Sequence, residues 1–112
     1  MELIQAAKAA AKALDDKFGK DIVLLEIAPV TTIADYFILA TGGNSIQIQA
    51  MADSVEEALK AQGLALRHIE GMQKGNWVLI DFGDIIVHIF DAESREFYNL
   101  ERIWGDAQSI AF

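Results

Sequence analysis

Cysteine is absent from this chain, proline occurs once, and nine basic residues face seventeen acidic ones. Each shortage closes off a class of function. Without cysteine there can be no disulfide, no thiolate metal ligand and no thiol nucleophile, and a reducing interior is the natural compartment. The cytoplasm is therefore the expected location. No apolar run approaches the roughly 18 residues that a membrane helix needs, since Asp81, Gly83 and Asp84 interrupt the most hydrophobic region. Residues 1–18 alternate alanine with charge at helical spacing and lack the continuous apolar core of a secretory signal. A soluble chain that is not exported is expected.

The shortage of bases also argues against a nucleic-acid partner, because a net charge of −8 is repelled by phosphate backbones unless a local basic patch compensates. Lys8, Lys12, Lys17 and Lys20 are interleaved with Asp15, Asp16 and Asp21, which reads as a solvated helix face. From Glu70 onward the acids Glu70, Asp81, Asp84, Asp91, Glu93, Glu96, Glu101 and Asp106 face only Lys74, Arg95 and Arg102. An acidic C-terminal half steers toward basic protein, raising association rate and selectivity more than affinity.

What the chain has is apolar content. Its 112 residues are 53% hydrophobic, enough for one domain over residues 1–112 with a single core and too short for a second. Leu3, Ala7, Ala10, Leu14 and Phe18 fall on one stripe at spacings of three and four, which predicts a first helix over residues 2–18 stopped by Gly19. Residues 22–27 read as a branched first strand ended by Pro29, and residues 36–41 as a second strand closed by Gly42 and Gly43. Asn44 stands at an N-cap position with Gln47 three residues on, so a second helix begins at Ser45. Its core side is Ile48, Met51, Ala52, Val55, Ala58 and Leu59, and Gly63 is its C-cap. Residues 64–70 read as a third strand, reached by a parallel, right-handed crossover.

The firmest local feature is a hairpin, residues 77–82 and 85–90 about Gly83-Asp84. Alternation puts Val78, Ile80 and Phe82 toward the core and Trp77, Leu79 and Asp81 on the opposite face. Asp91 can cap one or two short helices within residues 93–104, and residues 106–112 read as a loose tail. These elements make an α/β (α+β) domain whose mixed five-stranded sheet is flanked by helices.

Three constellations invite a chemical reading. The turn Thr41-Gly42-Gly43-Asn44-Ser45 joins a strand to a helix N-terminus, where an anion can bind. Nucleotidyl transfer also needs paired carboxylates on a neighbouring strand, and Leu66 to Glu70 does not supply them. Asp81 with Asp84 suggests a carboxylate pair, but turn chemistry explains Asp84 more simply. His68 and His88 lie on different strands without zinc spacing, so neither a metal nor a cofactor is expected. Trp77, Tyr98 and Trp104 lie among Asp81, Glu96 and Glu101, and aromatic anchors with an acidic rim are typical of a protein interface.

The order Trp77, Asp81, Gly83-Asp84, His88, Phe90, then Arg95, Phe97-Tyr98, Leu100-Glu101 and Trp104, resembles the bacterial ribosomal silencing factor, or iojap, family. Asp21 to Leu25, Asp35-Tyr36-Phe37 and Gly43-Asn44-Ser45 resemble it as well, so the likeness spans residues 2 to about 107. The resemblance implies a nucleotidyltransferase-like topology without the catalytic carboxylates. It implies no enzymatic activity, but a factor that binds the large ribosomal subunit through its basic fourteenth protein. Occupying the intersubunit face, it would keep the small subunit away and repress translation under nutrient limitation, with little direct RNA contact. Carried onto this sequence, the partner-binding residues are Glu70, Gly71, Trp77, Asp81, His88, Tyr98, Glu101 and Trp104. Two readings from other classes stay open: a nucleotide-binding or nucleotidyl-transferring enzyme using Gly42 to Ser45, and a homodimeric structural module.

Overall fold

The computed structural model describes residues 2–112. The first helix, α1 (Leu3–Asp16), buries Ala6, Ala7, Ala10, Ala11, Ala13 and Leu14. It ends before Phe18, which adopts φ 64° and is 82% exposed, so Phe18 leaves the expected stripe. The physical reason is the turn itself, in which the N–H groups of Phe18 and Gly19 bond back to the carbonyls of Asp15 and Leu14. This closure of the helix swings the Phe18 side chain outward.

β1 (Lys20–Glu26), β2 (Tyr36–Thr41), α2 (Ser45–Ala61), β3 (His68–Glu70), β4 (Trp77–Asp81) and β5 (Ile85–Phe90) follow. Short helices α3 (Ala92–Tyr98) and α4 (Leu100–Ile103) lead to a last strand, β6 (Gln108–Ile110). The sheet order is β3-β4-β5-β2-β1-β6, with β2 and β5 parallel and the other neighbours antiparallel. The sheet is mixed, as expected, but has six strands. The additional one comes from the segment expected to be loose: Gln108, Ser109 and Ile110 pair with Glu26, Leu25 and Leu24. An edge of β1 left open would expose a row of unpaired backbone groups, and β6 satisfies them.

β3 is shorter than expected and is not the neighbour of β2. After Gly63, at φ 90°, Leu64 and Leu66 pack against the core without strand pairing, and only residues 68–70 join β4. β3 runs parallel in sense to β2 but with two strands between them, because the hairpin of β4 and β5 fills that space. That hairpin forms as its sequence dictates. Trp77 pairs with Phe90 and Asp81 with Ile86, and Gly83 takes φ 88° in the connection.

Two apolar clusters follow from the strand alternation. One face of the sheet carries α1 and α2 over Leu24, Ile38, Ala40, Val78, Ile80, Ile85, Val87 and Ile89. The other gathers Leu25, Ile27, Ala34, Phe37, Leu39, Ile86 and Phe90, with Trp77, Leu79, Leu100 and Trp104 partly buried against them. The helical cover of this second face is short, and the candidate site lies where it ends.

Candidate functional site

Strand pairing puts Glu70 opposite Leu79, Leu79 opposite His88 and Trp77 opposite Phe90, all on the second face. His68 faces Asp81 across β3 and β4 on that side too. α3 and α4 then bring their aromatics down onto the strands. The α3 N-cap is Asp91, whose carboxylate accepts the Ser94 N–H at 2.7 Å. Asn99, at φ 44°, splits α3 from α4. The resulting kink lets Tyr98 pack on Trp77, ring centroids 4.5 Å apart, and Trp104 on Phe37 at 5.4 Å.

Trp77 is the centre of this arrangement. Its ring stacks on Phe90 at 5.2 Å, and its Nε1–H donates to His88 Nδ1 at 3.2 Å. It is half-buried, consistent with the rim position its sequence suggests. Phe97 adds a further exposed ring, edge-on to Tyr98 at 5.1 Å and 80% accessible. Ile103 of α4 is a further exposed apolar side chain, at 65%. Exposed rings concentrate binding energy when a partner covers them.

The acidic members of the proposed set do more than face solvent. Asp81 accepts the Gly83 N–H at 2.7 Å through one carboxylate oxygen, and its other oxygen stands 3.7 Å from His68 Nδ1. It therefore holds the hairpin turn. Glu101 accepts from Arg95 Nε at 2.9 Å, and Arg95 Nη1 donates to Thr41 Oγ1 at 3.1 Å, so its charge is partly matched within the fold. Glu70 is exposed at the edge strand, near His68 Nε2 at 3.5 Å. Gly71, at φ 88°, is half-buried. A Cβ there would collide with the carbonyl oxygen of Trp77, so Gly71 is needed where its loop crosses the start of β4.

His88 is 4% exposed and lies beneath the patch rather than on it. Its strand, residues 85–90, is buried at every position, so any side chain there is removed from solvent. Burial lowers its pKa to about 4, well under the usual 6.5, and the ring is neutral near pH 7. Because Nδ1 accepts the indole proton, the assigned tautomer carries its own proton on Nε2, which is buried without a partner.

The proposed residues thus divide into groups. Trp77 meets both His88 and Tyr98 and its carbonyl abuts Gly71, Trp104 joins through Phe37, Glu70 and Asp81 gather around His68, and Glu101 binds Arg95. Phe97, Phe37, His68 and Arg95 complete the surface and its support, although sequence had not placed them among the partner-binding residues. For Phe97 a signal existed: adjacent Phe97 and Tyr98 cannot both face the core from one short helix.

The turn at Gly42 to Ser45 is occupied by its own chain. Gly42 N–H donates to Phe90 O, Gly43 N–H to Gln47 Oε1 at 2.6 Å, and Gln47 N–H to Asn44 Oδ1 at 2.8 Å. The Gln47 side chain also donates to the carbonyls of Lys17 and Phe18. A Cβ on Gly75 would stand 3.1 Å from that of Ser45, so the loop before β4 lies over the helix start. This turn fastens α2 to its surroundings, which accounts for its residues without a bound phosphate. Among the described residues, no group of three or more His, Asp or Glu side chains could hold a metal ion.

Residues 1–112 match the family model described as "Ribosomal silencing factor during starvation". The chain belongs to the ribosomal silencing factor family. The silencing factor of Halalkalibacterium halodurans is 38% identical over 109 residues, covering 97% of this chain and 91% of that protein. A Chromobacterium violaceum protein of known crystal structure is 38% identical, with a TM-score of 0.91 over 100% of this chain and 92% of that one. A mouse protein named for mitochondrial assembly of the ribosomal large subunit is 30% identical across 77% of this chain, which spans 39% of it. The Halalkalibacterium halodurans and Bacillus subtilis relatives are both named as ribosomal silencing factors.

Proposed function

We propose that this chain binds the large ribosomal subunit through its basic fourteenth protein and blocks subunit joining by occupying space, repressing translation in the cytoplasm under nutrient limitation. The observation that carries the proposal is the family match along the whole chain together with the aromatic patch at Trp77, Tyr98 and Phe97. The patch is ring-rich and open to solvent at Phe97 and Tyr98, Glu70 is exposed on the neighbouring edge strand, and the chain as a whole carries −8. A cationic protein surface complements it, whereas bare RNA does not. A standard recognition surface covers about 800 Å² per partner, aromatic at its centre and polar at its rim.

The mechanism requires no chemical step: a rigid α+β body, once docked, excludes the small subunit. Within this reading Trp77, Tyr98, Phe97 and Glu70 make the contact. Asp81, Gly71, Glu101 and Arg95 hold the shape that presents them. The mouse relative's name refers to the large subunit, which is consistent with that subunit as partner here. The test is sucrose-gradient sedimentation with isolated subunits. The chain should comigrate with large subunits alone, and Tyr98→Ala with Phe97→Ser should abolish this while circular dichroism stays unchanged. Cosedimentation retained by the folded double variant would refute the patch.

A further inference from the structure

Position 88 poses a physical problem: a histidine stands in a strand whose every other residue is apolar. Burying its polar atoms is unfavourable, and Nε2 has no partner at all. An aliphatic residue there would avoid that cost. Its single side-chain hydrogen bond is the one accepted by Nδ1 from the Trp77 indole, at 3.2 Å. We propose that His88 is a positioning residue of the docking surface: it never meets the partner, but fixes the orientation in which Trp77 presents its ring. The proposal rests on the reading of this patch as the ribosome-binding face.

The geometry supports this in three respects. His88 is the diagonal neighbour of Trp77 across the hairpin, since Trp77 pairs with Phe90 and Leu79 with His88. The His88 ring is itself held, stacked with Phe90 at 6.2 Å and 10° and edge-on to Phe37 at 4.9 Å. An acceptor so fixed selects one of the two flips of the indole about its χ2 torsion, because only one points Nε1 inward. The ring so fixed lies on Phe90 and receives Tyr98 at 4.5 Å. A ring already held in its bound orientation loses less freedom on docking, which strengthens binding without any added contact.

Two substitutions separate this role from simple packing. His88→Phe keeps a ring and removes the acceptor, whereas His88→Asn removes the ring and keeps an acceptor oxygen near the place of Nδ1. On the isolated protein, the indole N–H resonances of Trp77 and Trp104 are resolved by nitrogen NMR, with Trp104→Phe assigning them. The Phe variant should shift the Trp77 resonance and speed its exchange with water while leaving that of Trp104 in place. It should weaken large-subunit binding about fivefold, the loss of one net hydrogen bond, and the Asn variant should recover both readouts. An unmoved Trp77 resonance, or equal weakening by Asn and Phe, overturns the proposal. If neither variant folds, the His88 ring nitrogens of the unaltered protein decide: a proton on Nδ1 instead of Nε2 overturns it. Failure of the unaltered chain to bind large subunits would instead remove the function reading, and the NMR readouts would show separately whether His88 holds the ring.

Discussion

Acid should unfold this protein partly through His88. The unfolded chain binds a proton at this residue near pH 6.5, whereas the folded chain resists until about pH 4. Below pH 6.5 the unfolded state therefore holds more protons, and stability must fall as pH falls. The contribution is complete above the unfolded value and is lost progressively down to about pH 4. Working the two titrations together gives a loss of about 2 kcal/mol between pH 7 and pH 5, and about 3 kcal/mol by pH 4. Because the side chain is 4% exposed, solvent screening does not reduce this much. Urea unfolding at pH 7 and pH 5 measures the effect, and the same pair of experiments on His88→Phe removes the contribution of every carboxylate. The unaltered chain should lose about 2 kcal/mol more than the variant over that interval. Equal losses in both, or an NMR titration of His88 centred near pH 6.5, would refute the burial argument.

Gly71→Ala should destabilise by about 2–3 kcal/mol in urea unfolding, since its φ of 88° and the Trp77 carbonyl both oppose a side chain. Asn44→Ala removes the cap of α2 and should cost about 1 kcal/mol, read from the thermal midpoint. Tyr98→Ala should weaken large-subunit binding at least tenfold, with a thermal midpoint close to that of the unaltered chain, because Tyr98 is 41% exposed in the free protein. Association with large subunits should slow as salt rises, as stopped-flow mixing can show, because the attraction is between opposite charges at long range.

Much of this architecture could be read from the sequence, and the physical reasons differ by element. The hairpin could be read because period-two alternation and Gly83-Asp84 are both local, and the pairing of Trp77 with Phe90 follows from turn length alone. Helix α2 was equally plain, its cap Asn44 and its buried stripe from Ile48 to Leu59 appearing as spaced. β6 could not be read, because Gln108-Ser109-Ile110 is short and mostly polar and becomes a strand only when the open edge of β1 is supplied. The length of β3 was misjudged for the converse reason. Leu64 and Leu66 have the apolar character of a strand but bury themselves individually beyond the sheet's edge. At the site, sequence named Trp77, Tyr98 and Glu70 as partner-binding, and the structure leaves all three at least partly open to solvent. It took His88 and Trp77 as parallel contributors, although the structure buries His88 and has it accept the Trp77 indole proton from within the fold. The missing clue lay in residues 85–90, where the lack of alternation signals a strand covered on both faces and hence a buried histidine.

The central claim is that this chain occupies the large subunit and leaves no room for the small one. Mixing purified large subunits with the chain, adding small subunits and resolving the products on a sucrose gradient tests it directly. Separate subunits, with the chain in the large-subunit fraction, are the predicted result. Coupled ribosomes that still carry the chain would contradict it.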